Sequence, residues 1–427
     1  MRETMKNIFR KFLPVQIVGF AILIALSWTA FAQQPAPATA SQGEINQQLL
    51  DRIAELEKEV KQLRQATNQS SIQTPTPPAP APAPLPEPVA IVEITQANVV
   101  ADRLKLNFFG DTGYQIGHFY GPANTFEFGE FDMFATARLS EHVSALGEIL
   151  FTSSTDNSVG VDVERLLLKY RADDYFAASI GRIHTDIGYY NTAFHRGDYF
   201  QTTIGRPVMY EFDDQGGFLP LQDLGVVLEG KVPSGKLGLN YVFEVTNGRA
   251  YGINAEPAQN STDGNNSKAV NLNMSAKPEW VPGLAVGFSV RHDYLSDVNN
   301  LRVSETIPVF YAVYNSAKYE WLNEAMVVRH ARPVGPVYHT TAFYTQFSRR
   351  FGAYRPYFRY SYVNAPENDP IYGDPTEIQE VGRVNGPTVG MRYDFNDHAA
   401  FKLQYDREGT TDTKSINGGS GQFAFTF

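Results

Sequence analysis

The chain of 427 residues holds 46 Asp and Glu against 36 Lys and Arg, and its formal net charge of -10 argues against nucleic acid as a partner. It has no Cys, which excludes a disulfide framework and a lipidated cysteine, so an exported chain of this size needs another means of stabilisation. With 23 Tyr and 29 Phe but a mean hydropathy of -0.29, the composition suits strands having one apolar and one polar face better than an aliphatic soluble core.

Residues 1–32 have the layout of a secretory signal. Lys6, Arg10 and Lys11 form a positive n-region, Val15 to Ala30 are apolar, and Ala30-Phe31-Ala32 is a small-x-small cleavage pattern. A retained anchor is the alternative, but an apolar run of about 16 residues is short for a span. No second long apolar run follows, so any later membrane crossing must be made by strands.

Residues 44–67 carry an apolar seam at coiled-coil spacing. Asn46, Ile53 and Val60 take a positions, Leu49, Leu56 and Leu63 take d positions, and Arg52/Glu57 and Glu59/Arg64 pair as g-to-e charges. The simple rules for these a and d residues favour two strands. Residues 68–100 form a Pro-rich linker, with TPTPPAPAPAPLPEP from Thr74 to Pro88, a composition that adopts extended polyproline geometry. The coil and linker read either as a tether towards the cell wall or as a solvated extension without a partner.

Residues 101–427 read as a transmembrane antiparallel β-barrel of 16 strands, with 14 or 18 as the alternatives, giving an all-β fold preceded by a short α-helical coiled coil. Seven tight turns alternate with eight longer polar connections, near 120–124, 152–160, 184–221, 248–267, 295–303, 331–338, 364–384 and 408–418. The even count puts both ends of this region on the side of the short turns. Period-2 alternation is clear near the end, where Phe401, Leu403 and Tyr405 oppose Lys402, Gln404 and Asp406, and Phe423, Phe425 and Phe427 oppose Gln422, Ala424 and Thr426. Sixteen strands with polar opposite faces fit a wet lumen better than a sandwich core.

A final strand of alternating aromatics ending in Phe427 resembles the end of Gram-negative outer-membrane proteins, and 101–427 is similar in length and strand count to the 16-stranded trimeric porins. Together, the signal, coil and barrel resemble, more loosely, the phosphate-selective-porin-like members. The resemblance implies an outer-membrane pore for small hydrophilic solutes, a homotrimer, contact with lipid, and recognition of the last strand by the barrel-assembly machinery. The coil would then lie in the periplasm, with a possible cell-wall contact. The net charge of 101–427, with 28 Lys and Arg against 38 Asp and Glu, does not suit a phosphate channel. A modest cation preference is expected instead.

The longest connection, 184–221, is the expected constriction, because the third external loop of porins folds inward. It mixes aromatics with Asp186, His195, Arg196, Asp198, Arg206, Asp213 and Asp214. An ordinary capping loop is the alternative. On the lumen wall, strand parity puts Arg350, Arg359, Arg392 and Lys402 on the polar faces of four consecutive strands. Glu130, Asp132 and Glu148 are expected to face them, setting up a transverse field or simply neutralising one another. A barrel hydrolase would need a nucleophile and base. His195 with Asp198 and Asp186 is the one local cluster, no serine-nucleophile signature or HExxH metal spacing occurs, and no cofactor is implied. An envelope anchor acting through the coil is a further possibility, compatible with a pore.

Overall fold

The computed structural model describes residues 103–117, 124–153, 158–194, 199–211, 217–249, 263, 265–297, 300–373, 381–410 and 415–427. The expected signal peptide, coil and linker lie outside the described residues.

Sixteen antiparallel strands follow one another round a closed barrel, each paired to its neighbours in sequence and the last to the first. They are β1 (Leu104–Gly117), β2 (Thr125–Arg138), β3 (Val143–Ser153), β4 (Val159–Arg171), β5 (Ala177–His184), β6 (Gln222–Lys231), β7 (Leu239–Thr246) and β8 (Ala269–Ala276). The second half is β9 (Leu284–Ser296), β10 (Arg302–Asn315), β11 (Tyr319–Ala331), β12 (Val337–Arg349), β13 (Tyr354–Asn364), β14 (Arg383–Asp394), β15 (Ala399–Thr410) and β16 (Ile416–Thr426). The strand count expected from the turns and loops is the count found. The expected alternation also holds: along β15, Lys402, Gln404 and Asp406 are buried in the lumen while Leu403 and Tyr405 are exposed outside.

Closure removes the unpaired edges that an open sheet would present. β1 and β16 run in register from Phe109 opposite Thr426 to Gly117 opposite Gly418. Beyond that ladder, Phe108 and Phe427 exchange both backbone hydrogen bonds (2.9 and 3.0 Å), and their rings stack at 5.2 Å. The outer surface is apolar, with Leu166, Ile180, Phe310 and Leu403 all well exposed. Exposed aromatics collect at the turn end, including Tyr175, Trp280, Phe351, Tyr354, Phe395 and Phe427. Others pair at the loop end, as Tyr114 with Phe126 (4.6 Å) and Phe343 with Tyr362 (5.2 Å).

The inward face is not uniform. On β1–β4 it presents buried carboxylates, namely Asp111, Asp132, Glu148 and Glu164. On β9–β13 it presents apolar side chains, among them Leu295, Ile307, Val309, Leu322, Met326 and Val363. That second wall is a surface on which a loop can pack.

Deleting residues 423–427 removes the aromatic end of β16 and the Phe108–Phe427 exchange. The truncated chain should lose the heat-modifiable gel migration of a closed barrel, which electrophoresis of unboiled samples in detergent checks.

Candidate functional site

The β5–β6 connection, 185–221, is described at 185–194, 199–211 and 217–221, and it turns into the lumen. A single helical turn, α1 (Tyr190–Ala193), and a 3-10 turn at Val208–Tyr210 are its only regular pieces among the described residues. A segment that leaves the strand ladder inside a barrel must find other partners for its backbone groups. Here the wall supplies them.

At the near wall, Glu244 accepts from the Asp186 amide (2.9 Å) and Ser289 from that of Gly188 (2.9 Å). The Asn273 amide donates to the Asp186 and Gly188 carbonyls (3.2 and 3.1 Å). Glu324 on β11, only 2% exposed, is the central anchor. It accepts from the amides of Tyr189 (2.7 Å) and Tyr190 (2.9 Å) and from the hydroxyls of Tyr210 (2.8 Å) and Tyr344 (2.7 Å). Around this carboxylate, Tyr190, Phe194, Met209 and Tyr210 of the loop merge with the apolar inward faces of β9–β13. Gly188 has φ of +73°, and a Cβ there would overlap the Tyr210 hydroxyl and the Glu324 carboxylate.

At the far wall, cations do the same work for the next stretch of loop. Arg359 donates to Thr203 Oγ1 (3.0 Å) and the Gly205 carbonyl (2.9 Å), Arg392 to the carbonyls of Tyr199 (2.5 Å) and Gln201 (2.8 Å), and Lys402 to that of Thr203 (2.9 Å). Gln404 meets both backbone groups of Ile204 (2.8 and 2.9 Å). Phe200 reaches Phe109 on β1 with ring centroids 5.1 Å apart. The loop therefore crosses the lumen from β5 and β6 to β13–β15 and β1.

Of the expected loop residues, His195, Arg196, Asp198, Asp213 and Asp214 lie outside the described residues. Arg206 is 5% exposed and braces the loop internally, donating to the carbonyls of Tyr210 (2.5 Å) and Phe194 (3.3 Å) and to Asn191 Oδ1 (2.8 Å). Asp186 stays half-open beneath the loop, held by Thr192 Oγ1 (3.1 Å). Enclosure by the surrounding wall raises its carboxyl to about 7.

On the wall, Arg359, Arg392 and Lys402 are buried together on β13–β15. Arg350 is not on a strand face as expected. β12 ends at Arg349, so Arg350 starts the following turn, half-exposed and paired with Asp394 (3.0 Å). Glu148 pairs with Arg165 across the β3–β4 ladder (2.7 Å), while Asp132 is buried beside it on β2 and Glu130 is half-buried.

Parity reasoning missed Glu324 as a loop anchor, and with it Glu320, which accepts from the Thr202 hydroxyl (3.1 Å), although four-residue spacing on one strand puts both on the inward face. It also missed a buried charged chain at the loop end. There Arg291 pairs with Asp223 (2.8 Å), Arg249 with Glu305 (2.5 Å), and His330 lies between Glu305 (2.9 Å) and Asp369 (2.7 Å). This chain ties Arg249, after β7, and Asp369, after β13, to the barrel, with Tyr372 donating to the Phe218 carbonyl of the long loop (3.1 Å).

No protein-family model and no curated protein matches the sequence. Solved structures do match in fold. An anion-selective porin from Comamonas acidovorans superposes with a TM-score of 0.55 at 12% identity, over 76% of this chain and 99% of that one. The Salmonella typhi protein OmpF, solved with daunomycin, gives 0.52 at 12% identity over 76% and 97%. The outer-membrane channel DcaP of Acinetobacter baumannii gives 0.51 at 12% identity over 76% and 97%. At these identities the likeness is one of fold.

Replacing Glu324 by Leu leaves two amides and two hydroxyls without their acceptor. The change should cost about 3 kcal/mol or more and loosen the loop, read as faster limited proteolysis within 185–221 in detergent. Glu324→Gln should fall between the two.

Proposed function

We propose that the protein is an outer-membrane porin, a water-filled channel for passive diffusion of small hydrophilic solutes or ions, narrowed by the 185–221 loop. One observation carries this reading: a loop pinned to both walls of a closed barrel whose outer face is apolar and whose lumen holds charged side chains. An apolar band between two aromatic zones suits a bilayer, and only a closed barrel satisfies every strand hydrogen bond within lipid. The signal-like N-terminus agrees with export. The short turns would face the periplasm, where the coil would lie, and a homotrimer is the assembly that the porin-like architecture favours. In this reading the barrel performs no catalysis.

The far-wall cations are engaged largely with loop carbonyls, which fixes the constriction geometry but leaves its anionic groups to shape selectivity. With the acidic balance of the barrel region, a modest cation preference follows. Reconstitution in planar bilayers tests the channel directly. Discrete conductance steps support it, and removal of residues 189–210 should enlarge them by emptying the lumen. Persistent absence of conductance from correctly folded protein would sink the reading.

The Asp186 carboxyl, raised to about 7, is neutral in most molecules at pH 6 and charged in most at pH 8. Raising the pH across that window adds negative charge to the lumen, so cation preference, measured as reversal potential in a salt gradient, should increase. Asp186→Asn should flatten this response. Strong anion selectivity at both pH values would contradict the proposed preference.

A further inference from the structure

A cavity of about 450 Å³ opens beneath α1 towards the turn end of the lumen, between the long loop and the β6–β10 wall. Its size is in the range of small-molecule sites. Its walls carry the two opposite charges that the rest of the lumen mostly spends internally. Lys231 pairs with Asp174 (2.7 Å), and Glu229 is shared between Lys169 and Arg171. Lys277, exposed just after β8, and Asp186, on the loop above, have no ion-pair partner among the described residues. The same cavity is lined by the rings of Tyr189 and Tyr311, with centroids 5.8 Å apart, and by Asn273.

We propose that this cavity is a binding station for zwitterionic solutes of amino-acid or short-peptide size, their ammonium group meeting Asp186 and their carboxylate meeting Lys277. The inference rests on the channel reading above and names a solute class for it. A simple anion entering the cavity meets Asp186 and Glu229 as like charges, and a simple cation meets Lys277 and Lys231. A molecule carrying both charges satisfies both sides at once, with charge-assisted hydrogen bonds that replace its lost hydration. The tyrosine faces receive the ammonium-bearing carbon and an apolar side chain, and contribute attraction to the cation itself. Binding at a partly open station is weak enough for release, which a conducting pathway requires.

The test uses three probes of one shape at pH 8, where Asp186 is charged in most molecules: phenylalanine, phenethylamine and 3-phenylpropionate, added to the full-length protein in planar bilayers. Phenylalanine should interrupt the current at concentrations about tenfold below the other two, and Lys277→Ala and Asp186→Asn should each remove about tenfold of that preference. Equal block by all three probes, block led by either singly charged probe, or a preference unchanged in both variants overturns the inference while leaving a conducting channel intact. If no protein conducts, the channel reading falls, and calorimetry with the same probes in detergent micelles decides the cavity alone: a tenfold preference for phenylalanine sustains it and its absence overturns it.

Discussion

A loop placed inside a barrel has no ladder to join, so each of its backbone groups must be met by a wall side chain or by water. This constraint organises the lumen. At one wall a single buried carboxylate, Glu324, gathers two amides and two tyrosine hydroxyls. At the other, Arg359, Arg392 and Lys402 receive loop carbonyls. The charged groups divide by polarity, Glu324 meeting the N–H groups that open α1 and the far-wall cations meeting C=O groups, while the amides of Asn273 and Gln404 serve the remaining backbone groups of either kind. The far-wall cations are therefore structural as well as electrostatic. Their contribution to the pore field cannot be separated from their hold on the loop.

The same constraint explains the uneven inner surface. Hydrogen bonds alone would leave the aromatic side of the loop facing water. Instead Ile187, Tyr190, Phe194 and Tyr210 pack on the apolar inward residues of β9–β13, forming a small hydrophobic core inside the barrel. The acidic inward faces of β1–β4 stay on the opposite side. The cavity beneath α1 stays open between the loop and the β6–β10 wall.

The fold was legible because a strand pattern of period 2 is local. Phe401, Leu403 and Tyr405 against Lys402, Gln404 and Asp406 gives the inner and outer faces of β15 without any knowledge of its neighbours. Turn residues such as Asn396-Asp397 and Pro233-Ser234-Gly235 mark where pairs of strands meet, and counting them yields 16. The loop was legible only as a position. Arg206 reads as a pore charge from composition, yet it is spent inside the loop on Tyr210, Phe194 and Asn191. Arg350 reads as a strand residue because β12 carries no local stop signal before it. Glu324 was invisible as an anchor because its loop partners lie more than a hundred residues away in sequence, and nothing local distinguishes it from any other inward carboxylate.

That distance has a consequence for how selectivity can change. The groups that shape the passage fall into two sets with different tolerance. Glu324, Arg359, Arg392 and Lys402 hold backbone groups of the loop directly, so their replacement moves the loop along with the charge. The side chains of Asp186 and Lys277 hold little of the frame: among the described residues one meets only the side chains of Thr192 and Asn273, and the other sits exposed at a turn. Charge can be altered at these two positions with the constriction left standing. Solute preference therefore lies more freely in the cavity beneath the loop than in the buried charges that pin it.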